Sequence, residues 1–531
     1  MYNSRIALAF CFALSFSTAL FAQSTDYPQS EFVANISSNI PDWRPYKAYN
    51  ADEAQILTAI YEGLFVYDPY TLEPVPALAV SQVESKNSLE WTFKIRKNAR
   101  FENGDTITAN DVRASWMNLL DPANSAPYAS LFDSITGAAD FRTGKNTDPL
   151  SVGITAPDSE TLILRLNSPA QQLPKILCHH AFAVMHPADL KRASSDKTDA
   201  AYTPISSGAF KIKSISKTEI ILVKNDAYWD AANVALPSIK LLVSDDADVL
   251  TAGFNQGLIH WLAGSSVVDR IIDPASIHLT PMFSTEYFFF RSTWGPWADS
   301  KIRNALLLAV PWTELRSNYL IPAKTLVFPI PGYPELAGIS VQNVDDPKKK
   351  LIEAGVLDAS KLPPLVILIP ESEPFSKLAS ILEKAWKGLG FTVEIKSLPY
   401  SSYYASLRND TYSIGITSWI GDFPDPLSFL EMFRPSSTLN DSGWNNPSYE
   451  KLILDASALK VAKERYAKLA EAEKLLLGEG VILPIAHNPS LNVIDINGIS
   501  GWYTNVLDIH PFKFVRFSPK KTLPGVAMVT R

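Results

Sequence analysis

The sequence is poor in cysteine, with only Cys11 and Cys178 among 531 residues. Cys11 lies in the apolar N-terminal stretch, so the rest of the chain has one thiol and cannot contain a disulfide framework. Cys178 precedes His179 and His180, which raises the alternatives of a metal site or a nucleophile. We interpret it instead as a small core residue, because a lone free cysteine in an apolar stretch usually packs that way.

Motifs of the common enzyme classes are also missing. The chain has no His-Glu-x-x-His, Gly-x-Ser-x-Gly, Walker loop, Gly-x-Gly-x-x-Gly or Cys-x-x-Cys pattern. His179, His180 and His186 lack a carboxylate at ligand-like spacing, so core or surface roles are expected for them. We therefore expect no catalytic residues, no metal and no cofactor. An exported hydrolase, with carboxylates that meet only in the folded chain, is the alternative from another class.

An excess of positive charge is absent, and so are long apolar segments after the N-terminus. The net charge of −7 argues against nucleic acid as a partner. Residues 6–22 form an uncharged run behind Arg5, so residues 1–22 are predicted to be a signal peptide and the protein to be exported to the periplasm. Lipid anchoring at Cys11 is the less favoured alternative, because Phe10 is bulky for a lipidation site.

The length and the periodicity of the chain predict an α/β protein of two or three domains. The order strand, helix, strand over residues 365–395 implies a right-handed crossover and a parallel sheet. Thr108 and Asp111 form a capping box for a helix up to residue 120. We also predict hairpins over 151–166 and 209–223, one long helix over 457–477, and a strand at 512–514 that returns to the N-terminal sheet.

The most informative stretch is residues 412–433, which reads as a strand, a stiff loop and a helix start. Two prolines flank Asp425, which suits the N-cap of a helix beginning at Leu427. Asp422 has no such structural role. Because ligands bind outside the carboxyl ends of strands in open α/β sheets, Asp422 is a candidate ligand anchor beside Trp419 and Phe423, with Gly421 permitting the turn before it.

Several motifs resemble the extracytoplasmic solute-binding proteins, family 5, of ABC importers, which include oligopeptide- and dipeptide-binding proteins. The most specific is Arg-Lys-Asn-Ala followed by Asn-Gly-Asp, within residues 91–112. The matching segments cover nearly the whole chain and are residues 60–68, 76–79, 91–112, 121–122, 126–129, 206–210, 224–229, 255–257, 299–306 and 419–426.

The resemblance implies a periplasmic binding protein fold of type II, in its cluster C form, with two lobes, a hinge and an extra inserted subdomain. Lobe I is expected to comprise residues 23–70, 195–283 and 497–531. The inserted subdomain is expected at residues 71–194 and lobe II at residues 284–496. The implied function is capture of peptides in a cleft that closes between the lobes, followed by delivery to a permease and ATPase complex.

The resemblance also implies roles for individual residues. In the family motif Trp-x-x-Asp-x-x-Asp-Pro, the first Asp binds the peptide α-ammonium, which corresponds to Asp422, while Trp419 and Tyr128 are expected to lie near the ligand. Some relatives have Arg where this chain has Ile416, so recognition of the ligand carboxylate is an open question. The protein is expected to be a monomer, and a metal chelate, haem or a sugar are alternative ligands for the same fold.

Overall fold

The computed structural model describes residues 31–36, 42–48, 51–193, 202–339, 346–409 and 411–519. The predicted signal peptide and Cys11 lie outside these residues. Within them, no helix is both long and apolar enough to cross a membrane.

Seven strands of the described chain form a mixed sheet, named sheet A. Its middle strand, Phe32–Ile36, is buried at every position and pairs in parallel with both neighbours. The predicted hairpin over 209–223 is confirmed as an antiparallel pair at one edge. The strand order is Ile277–Pro281, Pro489–Ile494, Trp261–Ala263, Phe32–Ile36, Ser238–Val243, Glu219–Lys224 and Phe210–Ile215.

Five strands form sheet B, in the order Val393–Leu398, Leu365–Pro370, Ile414–Ile420, Ser284–Phe290 and Ile482–Ala486 within the described residues. The predicted crossover is confirmed, because Leu365–Pro370 and Val393–Leu398 are parallel and helix Glu373–Lys387 connects them. Ser284–Phe290 is antiparallel to both of its neighbours and buried at all seven positions. Sheet B therefore combines parallel and antiparallel pairing.

Four strands form sheet C, in the order Ala79–Glu84, Glu90–Ile95, Thr161–Arg165 and Ile154–Thr155 within the described residues. The antiparallel pairing of the last two confirms the predicted hairpin over 151–166. The helix beside this sheet, Ala109–Leu120, begins at the predicted capping box of Thr108 and Asp111. Two further pairs join Phe65–Tyr67 to Pro74–Pro76 and Ile499–Ser500 to Arg516–Phe517.

The α-helices pack around these sheets. Those in the described residues are Ala51–Ile60, Ala109–Leu120, Ala138–Arg142, Leu173–Ile176, Pro187–Ala193, Ala247–Asn255, Ser300–Leu308, Trp312–Leu315, Pro347–Glu353, Glu373–Lys387, Tyr400–Asn409, Leu427–Leu430, Pro447–Ser457 and Ala462–Gly478.

One prediction of secondary structure is wrong and another has a later start. The helix predicted over 457–477 is Ala462–Gly478, and a separate helix, Pro447–Ser457, with Asn446 as its N-cap, precedes it. The residues 512–514 form a 3₁₀ turn instead of a strand. Pro511 precedes this turn and has no backbone N–H for strand pairing, and the chain next pairs through Arg516–Phe517 with Ile499–Ser500, outside sheet A.

The chain passes between sheets A and B at two adjacent points. One is Met282 and Phe283, and the other is His487 and Asn488. The two connections are hydrogen-bonded to each other, since Ser284 Oγ donates to Asn488 O at 3.0 Å and accepts from Asn488 N at 3.2 Å. Two short, adjacent connections suit a hinge, because few dihedral angles need to change when the sheets rotate.

The division into lobes stays a prediction, and the strand pairing refines one boundary. Strand Pro489–Ile494 falls in the range predicted for lobe II, residues 284–496, yet it pairs with two strands of sheet A. We therefore propose that the chain returns to lobe I at residues 487–488. Sheet C lies entirely within the predicted inserted subdomain, residues 71–194.

Candidate functional site

A cavity of about 240 Å³ lies at the carboxyl end of strand Ile414–Ile420 of sheet B. The sheet B wall is formed by Tyr404 and residues 418–422. The opposite wall comes from helix Ala51–Ile60, residues 66–67, Tyr128, residues 178–180, residues 507–509 and Pro511. Ligands of α/β proteins bind at such strand ends, and concave sites with a few polar groups are the usual binding sites.

Asp422 is the acidic residue of the sheet B wall. Its side chain is 7% exposed, and burial raises the pKa of its carboxyl group well above the ordinary value. The loop is fixed from the opposite wall, because Tyr67 Oη donates to the backbone oxygen of Asp422 at 3.2 Å. The nearest ionisable partner is His179, whose Nε2 lies 3.6 Å from Asp422 Oδ1, beyond ordinary hydrogen-bond length.

His179 faces Asp422 as a neutral imidazole. The backbone N–H of Ala181 donates to His179 Nδ1 at 3.3 Å, so the proton of the neutral ring is on Nε2, toward Asp422. Burial, together with the charge of His180, lowers the pKa of His179 well below its ordinary value. His179 therefore supplies no positive charge to balance an ionised Asp422.

Tyr128 and the two histidines form an aromatic group on the same wall. The ring of His179 lies 4.4 Å from that of Tyr128 and 4.0 Å from that of His180. Burial lowers the pKa of His180 to about 4, so this ring is also neutral at pH 7. The structure thus places Tyr128 at the cavity, as the sequence predicted.

Cys178 lines the cavity next to His179 and is buried, as predicted. Burial raises the pKa of its thiol well above the ordinary value. Because the thiolate is the reactive form of cysteine, the neutral thiol has the character of a packing residue. In the described chain, no group of three or more His, Cys, Asp and Glu side chains is arranged to hold a metal.

Trp419 and Gly421, two of the predicted ligand-binding residues, lie on the sheet B wall. Trp419 Nε1 donates to the backbone oxygen of Ser428 at 3.0 Å, which fixes the indole beside Asp422. Gly421 is required by close packing, since a Cβ atom there would lie 2.4 Å from Phe283 and 2.6 Å from Ser428 Oγ. Its N–H donates to Phe283 O at 2.8 Å, so the loop is attached directly to the hinge.

Phe423 and Ile416 lie outside the cavity lining. Phe423 is fully buried in the hydrophobic core, so the structure places this candidate in packing and not at the cavity. Ile416 is also buried, and both its backbone groups bond to the hydroxyl of Tyr403. A side chain at position 416 does not contact the cavity in this arrangement.

Asp425 serves the fold. Its Oδ1 accepts from the N–H of Leu427 at 2.9 Å, so it satisfies the first turn of helix Leu427–Leu430 much as an N-cap would. Arg465 also donates to both oxygens, at 2.6 and 2.7 Å. The helix is shorter than expected, and the cap residue itself is Pro426.

The sequence did not identify His179, His180 and Asp508 as residues of this cavity. The one available signal was the position of two adjacent histidines in a chain that has only seven. Their spacing to Asp422 exceeds 240 residues, so no local pattern could join them.

Comparison with known proteins identifies a family and relatives that match most of the chain. The family model of the bacterial extracellular solute-binding proteins, family 5 Middle, matches residues 73–441. The periplasmic murein peptide-binding protein MppA of Escherichia coli is 27% identical over 500 residues, which are 90% of this chain and 92% of MppA. The oligopeptide-binding protein OppA of Bacillus subtilis is 28% identical over 472 residues, 85% of this chain and 86% of OppA.

Solved structures of MppA resemble the fold to different degrees. The murein tripeptide binding protein MppA of E. coli has a TM-score of 0.81 at 25% identity, covering 92% of this chain and 99% of that one. The unliganded open form of MppA has a TM-score of 0.66 at 26% identity, with 92% and 98% coverage. The described conformation is therefore more similar to the first structure than to the open form.

Proposed function

The chain belongs to the bacterial extracellular solute-binding proteins, family 5, and from this premise we propose that it captures peptides for an ABC importer. The cavity at the carboxyl end of strand Ile414–Ile420 is the proposed binding site. The observation that carries the proposal is Asp422, a buried carboxyl group that faces a neutral histidine instead of a cation.

An ionised carboxylate in such a place is unfavourable unless a partner is present, because removal of a charge from water costs several kcal/mol. The α-ammonium of a peptide supplies that partner. Its hydrogen bonds to Asp422 would contribute about 1.5–3 kcal/mol each, since the donor and the acceptor both carry charge. Trp419 and Tyr128 then pack against the first side chains of the peptide.

Closure of the two sheets around the ligand fits the two adjacent connections at residues 282–283 and 487–488. A ligand that contacts both walls favours the closed form, because it gains contacts there that the open form lacks. The printed names of the relatives MppA and OppA refer to peptide binding, which supports a peptide as the ligand of this chain.

Location and partners follow from the same family membership. We propose that residues 1–22 direct export, that the mature protein is a periplasmic monomer and that it delivers its ligand to a membrane permease with its ATPase. Family members are binding proteins, and we propose no enzymatic activity for this chain.

Isothermal calorimetry of the mature protein with a panel of di- to pentapeptides tests the proposal. Peptides with a free N-terminus are expected to bind, and Asp422→Asn is expected to weaken binding at least tenfold, since losing one partner of a buried charge pair costs about 2–5 kcal/mol. N-acetylated peptides provide the matched control, because they lack the ammonium. If Asp422→Asn binds free and acetylated peptides as the unmodified chain does, the role of Asp422 is wrong.

A further inference from the structure

The cavity has an acidic residue on each wall. Asp422 belongs to the sheet B side, and Asp508 lies in the segment that follows sheet A on the opposite side. Among the described residues that line the cavity there is no Lys or Arg. The cavity lining therefore holds two carboxyl groups and no cationic side chain.

The lysines near the cavity do not supply a positive charge to its lining. Lys513 Nζ lies 2.7 Å from Glu62 Oε1, and Lys175 Nζ lies 3.3 Å from Glu73 Oε1, so each has an acidic partner outside the cavity lining. His179 and His180 are neutral, as described above. A ligand carboxylate therefore meets no cationic side chain on these walls.

Asp508 is held in position by its own hydrogen bonds. Asn492 Nδ2 and His510 Nε2 contact its Oδ1 at 2.8 and 2.9 Å. A carboxylate offers about four acceptor positions, more than these groups and Ser490 fill. The side chain is 30% exposed, which leaves it accessible to a ligand in the cavity.

The charge state of Asp508 differs from that of Asp422. Burial acts to raise the pKa of Asp508, but hydrogen bonds from His510, Asn492 and Ser490 lower the pKa below its ordinary value. Asp508 is therefore ionised at neutral pH. Its backbone is in the left-handed region, with φ of 53°, which Asp adopts more readily than most residues other than glycine.

The two acids are connected through one hinge residue. Phe283 O accepts from the N–H of Gly421 at 2.8 Å, and Phe283 N donates to Val506 O at 2.7 Å. Asp422 is the residue after Gly421, and Asp508 is two residues after Val506. The segments that carry Asp422 and Asp508 are thus hydrogen-bonded to the same hinge residue.

A further unpaired polar atom lies on the same wall as His179. His180 is buried and lines the cavity, and its Nε2 has no hydrogen-bond partner among the described residues. Buried polar atoms in native proteins are nearly always satisfied, so an unpartnered one is a reason to look for a bound polar group.

We propose that the cavity selects short peptides with two cationic groups, an α-ammonium at Asp422 and a basic side chain at Asp508. This inference rests on the proposed function, because it takes Asp422 as the ammonium site. A dicationic ligand would neutralise both walls and stabilise the closed form, whereas an acidic side chain would add a third negative charge.

Calorimetry with three matched tripeptides tests the inference in the unmodified mature chain. The peptides are Ala-Lys-Ala, Ala-norleucine-Ala and Ala-Glu-Ala, with a second series that has the variable residue at the third position. In at least one series we expect the lysine peptide to bind at least tenfold more tightly than the norleucine peptide, and the glutamate peptide to bind most weakly. Equal affinities, or tighter binding of the glutamate peptides, would overturn the inference and leave the proposed function intact.

The variant Asp508→Asn tests whether Asp508 causes the preference for lysine. It is expected to reduce the preference for lysine over norleucine to less than threefold, and its melting temperature, compared with that of the unmodified chain, shows that the variant is folded. A lysine preference that survives in Asp508→Asn would overturn the assignment to Asp508. Failure of every peptide to bind the unmodified chain would overturn the proposed function itself, and this inference with it.

Discussion

Two aspartates three residues apart in one loop have opposite environments. Asp425 is bound by both outer nitrogens of Arg465 and by the N–H of Leu427. Asp422 is equally buried, yet it faces the neutral ring of His179 at 3.6 Å. Asp425 therefore has its partners within the folded chain, whereas Asp422 has no cationic partner there.

The difference indicates which acid serves stability and which serves binding. A paired, hydrogen-bonded carboxylate fixes the loop and the helix that follows it, and loss of its partner is costly. An unpaired one reduces the stability of the free protein, which is the usual consequence of preparing a site for a ligand. The paired Asp425 thus holds the unpaired Asp422 in place.

The largest loss of stability is expected when Arg465 is replaced by Met, because this change would make Asp425 a second carboxylate without a cationic partner. Breaking a buried ion pair on one side costs about 3–5 kcal/mol, so the free energy of unfolding should fall by that amount. Denaturant unfolding measures it. The matched control is Asp425→Asn combined with Arg465→Met, which removes both charges and should recover part of the loss. If the single variant is as stable as the unmodified chain, the ion pair does not stabilise the loop.

A smaller effect is expected for Gly421→Ala, which changes the packing that positions Asp422. The added methyl group would lie 2.4 Å from Phe283, so Phe283 must move at a cost of about 1–3 kcal/mol. Peptide affinity should fall as well, because the hinge contact of Gly421 supports the loop. Gly478→Ala is the control, since a Cβ atom at this helical position meets nothing within 4 Å. Equal melting temperatures for the two variants would contradict the packing argument.

The smallest effect concerns the stability of the free protein with Asp422→Asn. Burial raises the pKa of Asp422 in the folded state above its ordinary value of 3.8. Below pH 3.8 the carboxyl group is protonated in both states, and stability is lost as the pH rises from 3.8 through the folded-state pKa. At pH 7 the variant should therefore be more stable than the unmodified chain by on the order of 1 kcal/mol, the usual size for one buried polar group.

The free energy of unfolding, measured for both proteins at pH 4 and at pH 7, checks this prediction. Subtracting the value of one protein from that of the other at each pH isolates the contribution of Asp422 from those of other titrating groups. The gain should be smaller at pH 4, where the carboxyl group of the unfolded chain is only partly ionised, than at pH 7. A saturating peptide should reverse it at pH 7, since the ligand stabilises the form that binds it more tightly. A constant difference between the proteins at both pH values would show that Asp422 does not titrate as described.

Local patterns predicted much of the fold. The capping box at Thr108 and Asp111 and the crossover from Leu365–Pro370 to Val393–Leu398 were both correct. Such signals act within one turn or one supersecondary unit, so the sequence shows them directly. The helix Pro447–Ser457 was missed although Asn446 and Pro447 form a local start signal.

The candidate site was predictable on one wall only. Trp419, Gly421 and Asp422 lie on the cavity wall formed by a single continuous loop. On the other wall the sequence identified Tyr128 through the family resemblance and missed His179, His180 and Asp508. These residues reach the cavity from different segments of the chain, and no period or spacing relates them to the loop. Phe423, a neighbour of Asp422 in sequence, points into the core instead.

The sequence alone determined that residues 412–433 contain a strand, a stiff loop and a helix start, because these depend on alternation, proline and glycine within a few residues. It also separated Asp425, beside the helix start, from Asp422. Only the tertiary structure decided that Arg465 reaches Asp425 while a neutral His179 faces Asp422. Partners so distant in sequence are brought together by packing of separate elements, and that packing sets the burial and charge of each carboxyl group.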